Sequence, residues 1–236
     1  MKRVKKIVVG IIMGLFFLFV TTISLGVLIE KGVLKTREER PSVTMEYTPQ
    51  NIAGMIDEEK ISDSNYYDSI DKALKNNNTI EDEENCYKKK IDEIIKRFEN
   101  DNYVTLYFKS VKNKNVECLT FAKFKKKEIE GKVGYTFISS IPTETERGIP
   151  TVGGVESLIE SQLALSDYMQ NVNIDSENTR FVFGDCKSDK IFNLEVEGQK
   201  PSEIIPYESF GEQWYFWYYE NLESNKVGNE LKFRLE

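Results

Sequence analysis

Tyr103-Val104-Thr105-Leu106-Tyr107-Phe108-Lys109, Asn113-Lys114-Asn115 and Val116-Glu117-Cys118-Leu119-Thr120-Phe121-Ala122-Lys123-Phe124 are the stretches that decide how this chain folds. Val104, Leu106 and Phe108 alternate with Thr105 and Tyr107. That is the period of two expected of a strand, whose successive side chains point to opposite faces. Asn113-Lys114-Asn115 is a hairpin turn, and a second turn around Gly131 leads into Val133 to Ile138. Residues 103 to 140 are therefore expected to form a three-stranded antiparallel meander.

On the N-terminal side the period changes. Tyr87, Ile91, Ile94, Ile95 and Phe98 fall at i, i+4, i+7, i+8 and i+11, the stripe of an amphipathic helix. A shorter helix is expected from an N-cap at Asp63-Ser64 through Tyr67, Ile70 and Leu74, ending at Asn76-Asn77-Asn78. With the meander these give an α+β subdomain over residues 63 to 141.

On the C-terminal side Pro142, Gly148, Pro150, Gly153 and Gly154 cluster, which reads as a linker over 142 to 154 or a long functional loop. Val155, Leu158, Ile159, Leu165 and Met169 then mark a helix over 155 to 170. Short strands follow at 179–184, 190–197, 202–207, 212–219 and 230–235. In the second, Phe192, Leu194 and Val196 oppose Asn193, Glu195 and Glu197, and in the last, Leu231, Phe233 and Leu235 oppose Lys232, Arg234 and Glu236. Residues 155 to 236 thus read as a helix plus a small antiparallel sheet or sandwich. The stretch Phe183-Gly184-Asp185-Cys186 through Ile191-Phe192-Asn193-Leu194-Glu195-Val196-Glu197-Gly198, closing on Trp214-Tyr215-Phe216-Trp217, resembles small β-rich modules of membrane-anchored extracytoplasmic proteins of Gram-positive bacteria. The resemblance implies a location and carries no active site with it.

Location has its own signal in the first thirty residues. Ile7 to Ile29 run without a charge, and at ~1.5 Å per residue such a run spans ~35 Å, enough to cross a hydrocarbon core of ~30 Å. Lys2, Arg3, Lys5 and Lys6 precede it with no acid among them, a cytoplasmic start over residues 1 to 6. The run is long for a cleaved signal peptide, and Ser24-Leu25-Gly26 is its one passable cleavage site. The expectation is a single-pass anchor over 7 to 29, a tether over 30 to 62 rich in charges, Pro and Asn, and an extracytoplasmic domain at the cell membrane. Gly10 and Gly14 form a weak G-x-x-x-G packing signal toward a membrane protein partner.

Charge and composition narrow the chemistry. The chain's net charge is −7, and its first 29 residues hold four bases and no acid, so the remaining 207 carry −11. That balance argues against nucleic acid as partner, because phosphate binding needs a basic footprint. There is no histidine, which removes the commonest general base and metal ligand and every Ser-His or Cys-His arrangement. Cys86, Cys118 and Cys186 fit no metal motif and read as small hydrophobes with at most one disulfide. No cofactor is implied.

Two features stand out as binding candidates. Residues Trp214 to Tyr219 are six consecutive aromatics. On a strand Trp214, Phe216 and Tyr218 share one face and Tyr215, Trp217 and Tyr219 the other, so the second face needs a covering helix or serves as a stacking platform for sugar or peptide. Residues 102 to 134 hold eight lysines and three glutamates. Lys123, Lys125, Lys126 and Lys127 are its densest part, either edge lysines that block strand aggregation or a contact for anionic wall polymers or lipid head groups. Ser69-Ile70-Asp71-Lys72 matches S-x-x-K without its K-T-G companion, and Glu81 to Glu84 lacks the glycine-punctuated loop of a Ca²⁺ site. The reading that results is an α+β extracytoplasmic binding or interaction module of the cell envelope. Its rivals are a carboxylate-based wall hydrolase and a structural or sensory subunit of a membrane complex.

Overall fold

Antiparallel strands dominate the computed structural model, which describes residues 58, 61–77, 83–147 and 154–235. The expected anchor at 7–29 and nearly all of the tether lie outside the described residues. Among those described, no helix is long and apolar enough to cross a membrane.

The meander forms where its periodicity places it and gains a strand. β1 (Glu93–Glu99), β2 (Tyr103–Asn113), β3 (Val116–Ile129) and β4 (Lys132–Glu146) pair antiparallel in chain order. Glu130 and Gly131, with φ of 52° and 76°, make the β3–β4 hairpin, and Phe210 and Gly211, at 54° and 76°, make another further on. Two consecutive left-handed residues match the twist of antiparallel strands. A second sheet holds β5 (Val182–Cys186), β7 (Glu203–Ser209) and β8 (Glu212–Tyr219) in the order β5-β8-β7, and β6 (Glu195–Val196) pairs with β9 (Phe233–Arg234). Two helices flank the sheets, α1 (Ile70–Lys75) and α2 (Gly154–Leu165).

These elements stack in four layers. Ile70, Ala73 and Leu74 of α1 pack on Val104, Leu106 and Phe108, the outer face of the meander sheet. Its inner face, with Phe98, Tyr107 and Phe121, meets Phe183, Phe216 and Tyr218 of the second sheet. The far face of that sheet, with Val182, Trp217 and Tyr219, is covered by Ile159 and Leu163 of α2. Both faces of each sheet are therefore buried, so β2 has an unbroken buried run over 104–108 where a one-sided strand would alternate.

Several local expectations give way to this packing. Tyr87 lies in a 3₁₀ turn (Glu83–Lys89), and Ile94 to Phe98 belong to strand β1. The helical spacing has a physical origin. A bulge between Ile94 and Lys96 inserts one residue and lets Ile95 and Phe98, three apart, face the same core. Helix α1 starts at Ile70 with Ser69 as its cap, its Oγ accepting from Lys72 N–H at 3.3 Å. Tyr67 stands outside that helix because its N–H and C=O pair with Tyr135. Residues Asp189–Asn193 form a 3₁₀ turn with Phe192 exposed, which leaves only Glu195–Val196 as strand. Of the expected break at 142–154, residues 148–153 lie outside the described residues. Pro142 sits inside β4 opposite Thr120, and the stretches on either side share one core within the unit Thr48–Glu236.

Candidate functional site

The inner face of the meander sheet carries side chains in cross-strand rows. Thr105 of β2 stands beside Lys123 of β3, which stands beside Ser139 of β4. All three are buried, and each donates to one of three consecutive backbone carbonyls in the chain after α2: Ser139 to Asn171 (3.1 Å), Thr105 to Val172 (2.7 Å) and Lys123 to Asn173 (2.8 Å). The Lys123 ammonium also lies 4.2 Å from the centroid of the Tyr103 ring, and burial holds its pKa below the ordinary lysine value. Unpaired buried polar groups are costly, and here each donor meets an acceptor the strap needs filled.

One row along, Tyr107, Phe121 and Ile141 are neighbours. Tyr107 stacks on Phe216 at 4.3 Å and on Phe121 at 4.5 Å, and Phe121 meets Phe183 at 4.1 Å. Beside this aromatic row opens a cavity of about 320 Å³, between β3 and β4 on one side and α2 and β5 on the other. Its wall is largely apolar (Leu119, Ile141, Leu158, Met169), with Thr143, Thr145, Ser161 and Ser209 among its polar groups and Gln162 and Tyr107 bonded to Asp185.

Asp185 lies on the edge strand β5 opposite Phe216. Its Oδ2 accepts from the Tyr207 hydroxyl at 2.7 Å and the Tyr107 hydroxyl at 3.2 Å, and its Oδ1 accepts from Gln162 Nε2 at 3.1 Å. Gln162 reaches it from α2 across Gly184, and Nε2 also donates to the Asp185 carbonyl at 2.9 Å. Glycine is required for that approach: a Cβ at residue 184 would stand 2.1 Å from Gln162 Oε1 and 2.5 Å from Trp217 Cζ2. Burial pushes the Asp185 carboxyl above its ordinary value, with the three donors pulling the other way. Burial, followed by the charge of Asp185, pushes Tyr107 well up, and Tyr207 rises for the same first reason. Two buried polar atoms on the wall have no hydrogen-bond partner, the acceptor Gln162 Oε1 and the donor Trp214 Nε1. A carboxylate in an apolar, aromatic cleft with convergent polar groups is a marker of a binding site.

The chain matches no protein-family model, no curated protein and no solved structure.

The residues singled out from the sequence fall elsewhere. Trp217 and Tyr219 are buried against α2, with Tyr215 half-buried beside them, so this face of β8 is core and offers no exposed platform. Lys125 pairs with Glu58 (2.8 Å), Lys126 with Glu99 (2.7 Å) and Lys127 with Asp63 (2.5 Å), and Lys123 is the buried strap residue. Lys125, Lys126 and Lys127 are thus each paired with an acid, and Lys123 is turned into the core. Ser69 and Lys72 of the S-x-x-K match serve as a helix cap and as the partner of Asp68 at 2.6 Å. Cys118 and Cys186 are buried free thiols and Cys86 is an exposed one. A second groove, of about 470 Å³ along β1 and the 172–175 strap, is more polar. Of the charges lining it, Lys96 pairs with Glu203 and Arg97 with Glu99, and Asp175 and Glu220 line it as well.

Sequence reasoning passed over Asp185, Tyr107, Tyr207 and Gln162. One signal was present. In Phe181-Val182-Phe183-Gly184-Asp185, the alternation that points Phe181 and Phe183 into a core points Asp185 there too, and an acid on the buried side of a strand needs a reason.

Proposed function

We propose that the chain is a binding module of the cell envelope, anchored by its N-terminal apolar run with the folded domain outside, and that its ligand enters the cavity beside Asp185. The apolar run Ile7 to Ile29 and its acid-free start support the placement. The single observation that supports binding is the cavity itself, largely apolar in its walls with a half-buried carboxylate and two unpartnered polar atoms on them. Its volume is within the range of small-molecule sites and would hold roughly ten waters at ~30 Å³ each.

The hydrolase reading has less support. Hydrolysis by carboxylates needs two of them facing one substrate, ~5 to 9.5 Å apart, and among the described residues that line the cavity Asp185 is the sole acid. Replacing Thr143, which lines the cavity from β4, by Trp tests the binding reading. Small apolar probes titrated into the full-length chain should shift the methyl resonances of Leu119, Ile141 and Met169, and T143W should abolish those shifts while the chain stays folded. Shifts that persist unchanged in T143W would place binding elsewhere. For the location, protease added to wall-stripped cells should remove the folded domain, and survival until lysis would reverse the orientation.

A further inference from the structure

Asp185 lacks a counter-charge. Its hydrogen-bond partners are two phenol hydroxyls and a carboxamide, all uncharged donors, and no lysine or arginine is among the described residues that line the cavity. Several carboxylates elsewhere in the fold meet one. Glu58 meets Lys125, Asp167 meets Arg180 at 2.8 Å and Glu203 meets Lys96. Asp185, half-buried on β5, has no such partner among its hydrogen bonds. Three donors aimed at one carboxyl group also suit its ionised form, which only accepts.

We infer that the cavity binds a small organic cation, a protonated primary or secondary amine with an apolar body, its ammonium against Asp185 and its body among Phe121, Phe183 and Trp214. This rests on the binding reading above and names the ligand class for it. An ammonium group supplies the positive charge that the chain does not. Its N–H groups also suit Gln162 Oε1, the buried acceptor without a partner. Phe121 and Phe183 line the cavity with ring faces to which a cation is attracted and against which an apolar body packs, while the Trp214 ring already has the Lys187 ammonium 5.1 Å from its centroid. An anionic ligand would meet the Asp185 charge in a setting that strengthens the repulsion, and a neutral one would leave that charge uncompensated. Trp214 Nε1, a buried donor without a partner, adds a preference for a hydroxyl or carbonyl on the ligand body.

The test uses the full-length chain and three probes of one shape, 2-phenylethylamine, 2-phenylethanol and 3-phenylpropanoate, followed by calorimetry and by the methyl resonances of Leu119, Ile141 and Met169. The amine should bind saturably and at least tenfold more tightly than the alcohol, with the carboxylate weakest. Asp185→Asn, which keeps the shape and removes the charge, should weaken the amine at least tenfold and leave the alcohol unchanged. A general loss of structure would move both. Equal binding of amine and alcohol by the unaltered chain, or amine binding that survives in D185N, overturns the cation inference and leaves the binding module standing. Binding of none of the three, with no methyl shifts, removes both.

Discussion

Two sets of polar groups meet the inner face of the meander sheet in neighbouring rows, one through Thr105, Lys123 and Ser139 and the other through Tyr107, and they are built differently. In the first, Thr105, Lys123 and Ser139 are three donors for three backbone carbonyls of the 171–173 strap. In the second, three donors converge on one carboxyl group, an acceptor and an indole N–H on the wall stay without partners, and a cavity opens beside them. In the first set the three side-chain donors match the three carbonyls in number, although the Asn171 carboxamide on the same strap is buried without a partner. The second has a charge and two polar atoms that the chain does not answer. The difference separates buried polarity that fixes a fold from buried polarity arranged toward a ligand.

The largest expected effect tests whether the two sets belong to one cooperative structure at all. Trp217 is fully buried between β8 and α2, so Trp217→Ala should cost about 3 to 5 kcal/mol in denaturant unfolding. Because the two sheets share a core, Trp214 fluorescence and the far-ultraviolet signal should shift together. Separate transitions would divide the domain and dissolve the comparison.

Next in size is the strap. Lys123→Met keeps the apolar stem and removes the donor, leaving the Asn173 carbonyl buried, and should cost about 1 to 3 kcal/mol. Hydrogen exchange should rise over 171–175. If K123M proved neutral, the first set would not be holding the strap.

Asp185→Asn should behave in the opposite sense. The folded carboxyl has a raised pKa, so between its ordinary value and its folded one the native state holds a proton that the unfolded chain releases. Stability from this group is therefore fullest below the ordinary carboxylate range and is lost as pH rises through the folded value. The other titratable groups facing it, Tyr107 and Tyr207, are themselves raised and stay neutral over that range. D185N should lack this decline and match or exceed the unaltered chain at neutral pH, read from unfolding midpoints across a pH series. A loss as large as that of K123M would make Asp185 a structural residue like those of the strap. The smallest effect belongs to the surface: Lys127 and Asp63 are both exposed, so Lys127→Gln should leave the unfolding midpoint where it is, since exposed ion pairs contribute little.

The meander, its turns and the helix after residue 154 were legible in the sequence because strand alternation, left-handed hairpin turns and helical apolar spacing act within a few residues of each other. The three cysteines read alike as small buried groups, which Cys118 and Cys186 are and the exposed Cys86 is not. What sequence could not settle was anything decided by a partner distant along the chain. The Ile94, Ile95 and Phe98 spacing suits a helix turn and a bulged strand equally, and the free edge of β2 decided for the strand. The second face of Trp214 to Tyr219 could have been a platform, and α2 made it core. Asp185 draws its surroundings from residues 107, 162 and 207, on β2, α2 and β7. A charge without a counter-charge is a property of that assembled shell: neither the desolvation that raises the Asp185 pKa nor the cavity beside it exists until both sheets and the helix have closed around it.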